Sequence, residues 1–219
     1  MPIGNESILD ARAHAAMQQR GHMELFRAIP SSQIEKAGKG QSRHPTIRIP
    51  SNVPYIVDNL WEWLRPESMP SRRHAIYASP TAELALANAS APLINGEHYI
   101  ACRVIVDPDH MHIAQLTVRD AREHPDIRAV ARWVSGHGQT FVALDPVQKQ
   151  QIAQLFMPGL RRDELEDLRH ANSLVGEVCH YIREASTFWG TAATPAASSE
   201  GELFFELTDP SVIYWLEPV

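Results

Sequence analysis

The sequence predicts an α+β domain, and three observations predict it. Short apolar runs bounded by Pro, Gly and Asp lie near both ends of the chain and in its middle. Between them, Thr117 to Ser186 changes to an apolar period of three and four residues, the signature of helices. The 219 residues, 44% hydrophobic and 21% charged, are the size and composition of one globular domain spanning residues 1–219.

In chain order, Ile8, Leu9, Arg12, Ala13, Ala16 and Met17 share a face of a short helix within an N-terminal segment, residues 1–22. Met23 to Ile29, ended by Pro30, reads as a strand carrying Arg27. An arginine in a buried strand needs an anion or a strand-edge salt bridge. Residues 31–54 are polar and punctuated by Gly and Pro, hence loop, with room for a short helix at Ser32 to Lys36. Pro54 to Leu64 is a helix with proline in its first turn. His74 to Ala78 is a strand. Ser79 as N-cap, Pro80 at the first helical position and Glu83 near the start predict the alanine-rich helix that follows. His98 to Val106 is a strand with Ile100, Cys102, Val104 and Val106 on one face, and after the turn at 107–109 Met111 to Val118 returns.

The helical block reads as Pro125 to Ser135, a break at Gly136-His137-Gly138, and an apolar run at Thr140 to Leu144 whose type is open. A helix capped by Asp145 then runs to about Phe156, burying Val147, Ile152, Leu155 and Phe156. One long helix covers 161–185. Phe188 and Trp189 stand at the foot of a small-residue loop, as a core anchor or an exposed contact. A strand from Glu200 to about Leu207 and a last one at Val212 to Leu216 close the chain. Glu200 and Glu202 at the strand entrance would project from one face, an arrangement suited to a solvated edge or to the wall of a site.

Composition narrows the function. The net charge of -6 and the lack of a basic block do not fit a general phosphate-backbone binder, so nucleic acid is not the expected partner. No apolar run reaches the length of a membrane span, and Met1 to Arg20 does not resemble a standard secretory signal. The expected location is cytoplasmic, or a host or target cell reached by a signal-less route. Cys102 and Cys179 read as reduced core residues. His110, His112 and His124 match no strong ligand spacing, so no metal is expected.

Four segments in order resemble the ADP-ribosyltransferase superfamily, in its arginine–serine–glutamate branch of bacterial toxins. They are Leu25-Phe26-Arg27; Ala75-Ile76-Tyr77-Ala78-Ser79 with its alanine-rich helix; Tyr99 to Val106 ending in Asp107-Pro108-Asp109; and Glu200-Gly201-Glu202-Leu203-Phe204-Phe205. The resemblance implies a mixed-sheet core of two packed small sheets, with 117–186 as a helical insertion. It implies NAD as substrate and a protein acceptor. Glu202 would stabilise the oxocarbenium-like transition state, Arg27 would grip the NAD diphosphate, and Ser79 would bind NAD and orient Glu202. Tyr77 would offer a flat face to the nicotinamide or pack behind Ser79. Glu200 would serve the acceptor side chain, which beside such a glutamate is arginine. The loop before Glu200 would read the target, with Phe188 or Trp189 in contact. A bacterial or phage effector of this kind goes with an antitoxin, chaperone or immunity partner. The sequence departs from the family in having Ala78-Ser79-Pro80 for Ser-Thr-Ser. Two rivals use the same residues differently: an NAD-degrading toxin of the RES kind, recruiting Arg27, Arg65, Tyr77 and Glu83, and a catalytically dead transferase fold serving as a binding or immunity module.

Overall fold

Seven short strands form two antiparallel sheets in a computed structural model that describes residues 24–38, 40–42, 47–50, 52–90, 92–191 and 200–219. The expected N-terminal helix lies outside those residues, as does nearly all of the loop before Glu200. The strands are β1 (Phe26–Pro30), β2 (Gln41–Ser42), β3 (Ile76–Ala78), β4 (Tyr99–Ile105), β5 (Met111–Gln115), β6 (Leu203–Leu207) and β7 (Ile213–Pro218). One sheet has the order β1-β4-β7-β2 and the other β3-β6-β5. The edge strands β1 and β3 meet through one isolated bridge, in which Phe26 and Ser79 exchange two backbone hydrogen bonds of 2.8 Å. The two sheets are thereby joined at a seam.

Strand alternation builds two cores. Leu203, Phe205 and Leu207 of β6 turn toward Cys102 and Val104 of β4 and Tyr214 and Leu216 of β7, filling the space between the sheets. Phe204 and Ala114 point the other way, into a larger core of helical residues. That core is shared by α2 (Tyr55–Leu64), α4 (Pro125–Gly136), α7 (Arg162–Ala171) and α8 (Ser173–Ala185). The helical block therefore covers one face of the small sheet and shares its core with α2, which precedes it in sequence by some sixty residues.

The remaining helices are α1 (Ile34–Ala37), α3 (Ala82–Ala87), α5 (Gly138–Ala143), α6 (Pro146–Gln154) and α9 (Phe188–Thr191). Asp145 caps α6 in a reciprocal box with Gln148, as its position predicts. Several expectations are corrected. The helix expected over 161–185 is two: Asn172 adopts an extended backbone, and its side chain accepts hydrogen bonds from the N–H groups of Leu174 and Val175, starting α8 afresh. Thr81, not Ser79, caps α3, because the Ser79 backbone is held in the bridge to Phe26. The open run after Gly138 is helical. Val147 and Phe156 are exposed, so only Ile152 and Leu155 of the proposed buried side reach the core.

Phe188 and Trp189 are likewise corrected: neither is available as a target contact. Phe188 is fully buried and stacks on Trp61 with ring centroids 3.9 Å apart. Trp189 donates from its indole nitrogen to the Trp61 carbonyl at 2.7 Å. Two aromatic rings packed this way gain more from burial than from exposure at a loop foot. They anchor the chain just before the loop that returns it to β6.

A buried ionic cluster ties the approach to β3 onto α2. Arg73, 4% exposed, donates to Asp58 (2.9 Å), to Asn59 (2.7 Å) and to the Leu160 carbonyl (2.7 Å). Burial pushes the Asp58 carboxyl up, against the pull of the Arg73 charge and hydrogen bond. Among the described residues no helix is long and apolar enough to cross a membrane.

Candidate active site

At the seam of the two sheets a cleft of about 670 Å³ opens, and Arg27, Tyr77, Ser79 and Glu202 all line it. They come from β1, β3, the bridge residue after β3, and the residue before β6. Each position follows from strand geometry. The β3–β6 register pairs Ile76 with Phe205, Tyr77 with Phe204 and Ala78 with Leu203. Continued one step, it sets Ser79 opposite Glu202, and opposed residues share a face. Tyr77, Ser79 and Glu202 thus look out on the helical side of the small sheet. Arg27 is paired with Cys102 and stands on the core-facing side of edge strand β1, where the seam leaves room for it.

Arg27 pairs with no carboxylate among the described residues. Its Nη1 donates to the Tyr214 hydroxyl at 3.0 Å, and that hydroxyl donates to Gln41 Oε1 at 2.8 Å. The Tyr214 ring is buried between the sheets, so its hydroxyl is a fixed support. A guanidinium held by a neutral partner at a cleft wall keeps its charge available for a bound anion.

Glu202 is half-buried. Its Oε2 accepts a 2.8 Å hydrogen bond from the Ala121 N–H. This corrects the expected support from Ser79, whose side chain makes no hydrogen bond to Glu202. Desolvation raises the Glu202 carboxyl above the ordinary glutamate range. Arg72, the Ala121 N–H and Arg48 oppose that rise, while Asp120 adds to it. Arg72 is 2% exposed and lies beneath the cleft, with its guanidinium over Trp61, Tyr77 and Phe188; its Nε and Nη1 have no hydrogen-bond partner. It acts on Glu202 through its charge.

Glu200 and Glu202 do not share a strand face, because β6 begins only at Leu203. Gly201 turns the chain between them. A Cβ at Gly201 would collide with the Leu116 carbonyl, so only glycine lets the strand pass this close to 116–118. Glu202 N donates to Val118 O and Leu116 N to Glu202 O, both at 2.9 Å. Glu200, outside the turn, is exposed and accepts from Arg119 Nε at 3.0 Å and Nη2 at 2.7 Å.

Two guanidinium groups approach the Tyr77 ring: Arg48 Cζ is 4.6 Å from its centroid and Arg72 Cζ 6.0 Å. Its hydroxyl donates to the Arg72 carbonyl at 3.3 Å. Arg65 and Glu83 do not line the cleft. Arg65 pairs with Glu62 and the Met69 carbonyl, and Glu83 projects from α3 into solvent. Arg48, Arg72, the Ala121 N–H and the Tyr214–Gln41 support were not found by reading the sequence. Arg48 lies in a stretch that reads as plain loop; its flanking Ile47 and Ile49 are the one local signal. The other three depend on pairings across the whole chain.

Compared with family models, with curated proteins and with solved structures, the chain matches none.

Proposed function

We propose that this protein is a mono-ADP-ribosyltransferase that moves ADP-ribose from NAD to a protein side chain, with arginine as the acceptor type. The observation that carries the reading is the meeting of Arg27, Tyr77, Ser79 and Glu202, from three separated stretches of the chain, in one cleft at a sheet seam. The transferase fold belongs to the same reading: two packed small sheets are what the resemblance implies, and the two small sheets here meet at a seam beside the cleft. A role as a bacterial or phage effector, with an antitoxin, chaperone or immunity partner, goes with it.

The chemistry matches the side chains. NAD brings a diphosphate, a ribose and a planar cationic ring. Arg27, without a carboxylate partner among the described residues, suits the diphosphate, and Arg48 adds a second cation to the cleft. A nicotinamide ring on Tyr77 would replace the Arg48 guanidinium, one planar cation for another on the same aromatic face. As the bond from C1′ to the ring nitrogen lengthens, positive charge develops on the ribose. A fixed carboxylate lowers the energy of that charge, and Glu202, held by Ala121 and half out of water, is placed to supply it.

Incubation of the protein with labelled NAD and cell lysate tests the reading. Label on an acceptor protein supports transfer. Free nicotinamide with no labelled protein would assign NAD degradation instead. No NAD turnover would leave the binding-module reading in its place.

The support behind Arg27 has its own expected outcome. Tyr214→Phe keeps the buried ring and loses one hydrogen bond to a charged group. It should raise the KM for NAD by about 10-fold, some 1.4 kcal/mol, with a smaller change in kcat. Steady-state kinetics read the split; an unchanged KM removes Tyr214 from the site.

A further inference from the structure

Arg119 presents its guanidinium to Glu200 through Nε and Nη2, the way an acceptor arginine would be presented, and it does so on the wall of the cleft that contains Glu202. We infer that Arg119 is an acceptor within the chain itself, and that the protein ADP-ribosylates its own Arg119. This rests on the transferase reading and specifies a substrate for it.

Segment 116–121 brings the two carboxylates and the guanidinium together. Leu116 and Val118 pair with the backbone of Glu202, and the Ala121 N–H binds its carboxylate. Arg119 lies between these anchors, so the carboxylate on its guanidinium and the carboxylate beside the ribose belong to one short turn. Both partners of the Arg119–Glu200 pair are exposed, with side chains 60% and 56% accessible. An exposed pair of this kind adds little to stability. Arg119 Nη1 makes no hydrogen bond among the described residues. The hydrogen bonds to Glu200 hold the Arg119 charge in place and raise its basicity, so loss of its proton has to be coupled to bond formation.

The step balances. Glu200 takes the proton on Arg119 Nη2 as that nitrogen bonds to C1′ of the ribose. The bond from C1′ to the nicotinamide nitrogen breaks, and its electron pair leaves with the ring, which becomes neutral. The product guanidinium keeps one positive charge, and Glu200 releases the proton to solvent.

The test uses the full chain alone with NAD labelled in the adenylate. It follows nicotinamide release, label on the protein and the modified peptide by mass spectrometry. The expected result is label on the peptide containing Arg119, lost in Arg119→Ala. Glu200→Gln should cut that label about 10²-fold while nicotinamide release continues. Agmatine, a small free guanidine, should be labelled faster by Arg119→Ala than by the wild type, because an intramolecular competitor at about millimolar effective concentration has been removed. Nicotinamide release with Arg119 unmodified overturns the inference and leaves the NAD-consuming reading standing. No nicotinamide release in any variant overturns both.

Discussion

Glu202→Gln is expected to fold normally and to consume NAD about 10²–10³-fold more slowly than the wild type. Glutamine has the shape of glutamate and can still accept the hydrogen bond from the Ala121 N–H, so the turn after Gly201 keeps its support. What it lacks is the negative charge that, in the proposed reaction, answers the cation developing on the ribose. The loss should fall on kcat, because the interaction is made mainly in the transition state. Nicotinamide release measured with wild type and variant at saturating NAD gives the ratio directly. A variant within threefold of the wild type, a gap of about 0.7 kcal/mol, would show that the charge takes no part in the chemistry.

In the proposed reaction the same carboxyl should set the pH dependence. Burial raises the Glu202 pKa, so the protonated form, inactive in the proposed reaction, persists to higher pH than for an ordinary glutamate. Activity should fall on acidification, and the midpoint of that fall should lie above the usual carboxylate range. Asp120 pushes the pKa up, so Asp120→Asn should move the midpoint to lower pH. Arg72 pulls it down, so removing that charge should move it the other way. A pH profile of kcat/KM for the three proteins tests both signs.

Arg73→Ala is expected to have the largest effect on stability, about 3–5 kcal/mol, because it leaves Asp58 as a buried charge with its closest cation removed. Arg72 remains, but at 3.7 Å from Asp58 and without a hydrogen bond to it. The Leu160 carbonyl loses the Arg73 donor as well. A loss of that size is a large share of the stability of an ordinary domain and should lower Tm by about 10 °C. The sign of the pH effect follows from Asp58. Its folded-state pKa is already raised, and without Arg73 it rises further. As pH falls through that value the native state takes up a proton more readily than the unfolded chain, so the deficit shrinks on acidification. The double change Asp58→Asn with Arg73→Met removes both charges and should recover much of the lost stability. Thermal melts at neutral and mildly acidic pH distinguish this from simple loss of packing, which has no such pH dependence.

Local pattern was enough for most of the strands and for the site residues that sit on them. Arg27 stands out because a charge interrupts an apolar run, and Glu202 because a carboxylate opens one. Tyr77 and Ser79 follow from a strand that ends at a Ser-Pro. Each of these signals needs only a few neighbouring residues, since side-chain alternation in a strand is a property of the backbone itself. Local pattern does not determine Ser79, which reads as a helix cap but is held by Phe26 instead, or Phe188 and Trp189, whose burial depends on Trp61 more than a hundred residues away. Asn172 shows the limit from the other side. The apolar period runs through it unbroken, yet its side chain bonds to the backbone ahead and splits the helix.

The sequence by itself determined the α+β class, the alternation that turns Leu203, Phe205 and Leu207 one way and Phe204 the other, and the residue types able to act on a diphosphate and a ribose. Only the tertiary structure decided that they share a cleft. Edge strands β1 and β3 are some fifty residues apart and meet at one bridge. β6 lies about 125 residues beyond β3 and still sets Glu202 opposite Ser79. Arg48, Arg119 and the Tyr214 hydroxyl join them from three further stretches. The reason is physical: side-chain direction follows from local backbone geometry, whereas strand pairing between distant segments follows from how the whole chain buries its two cores.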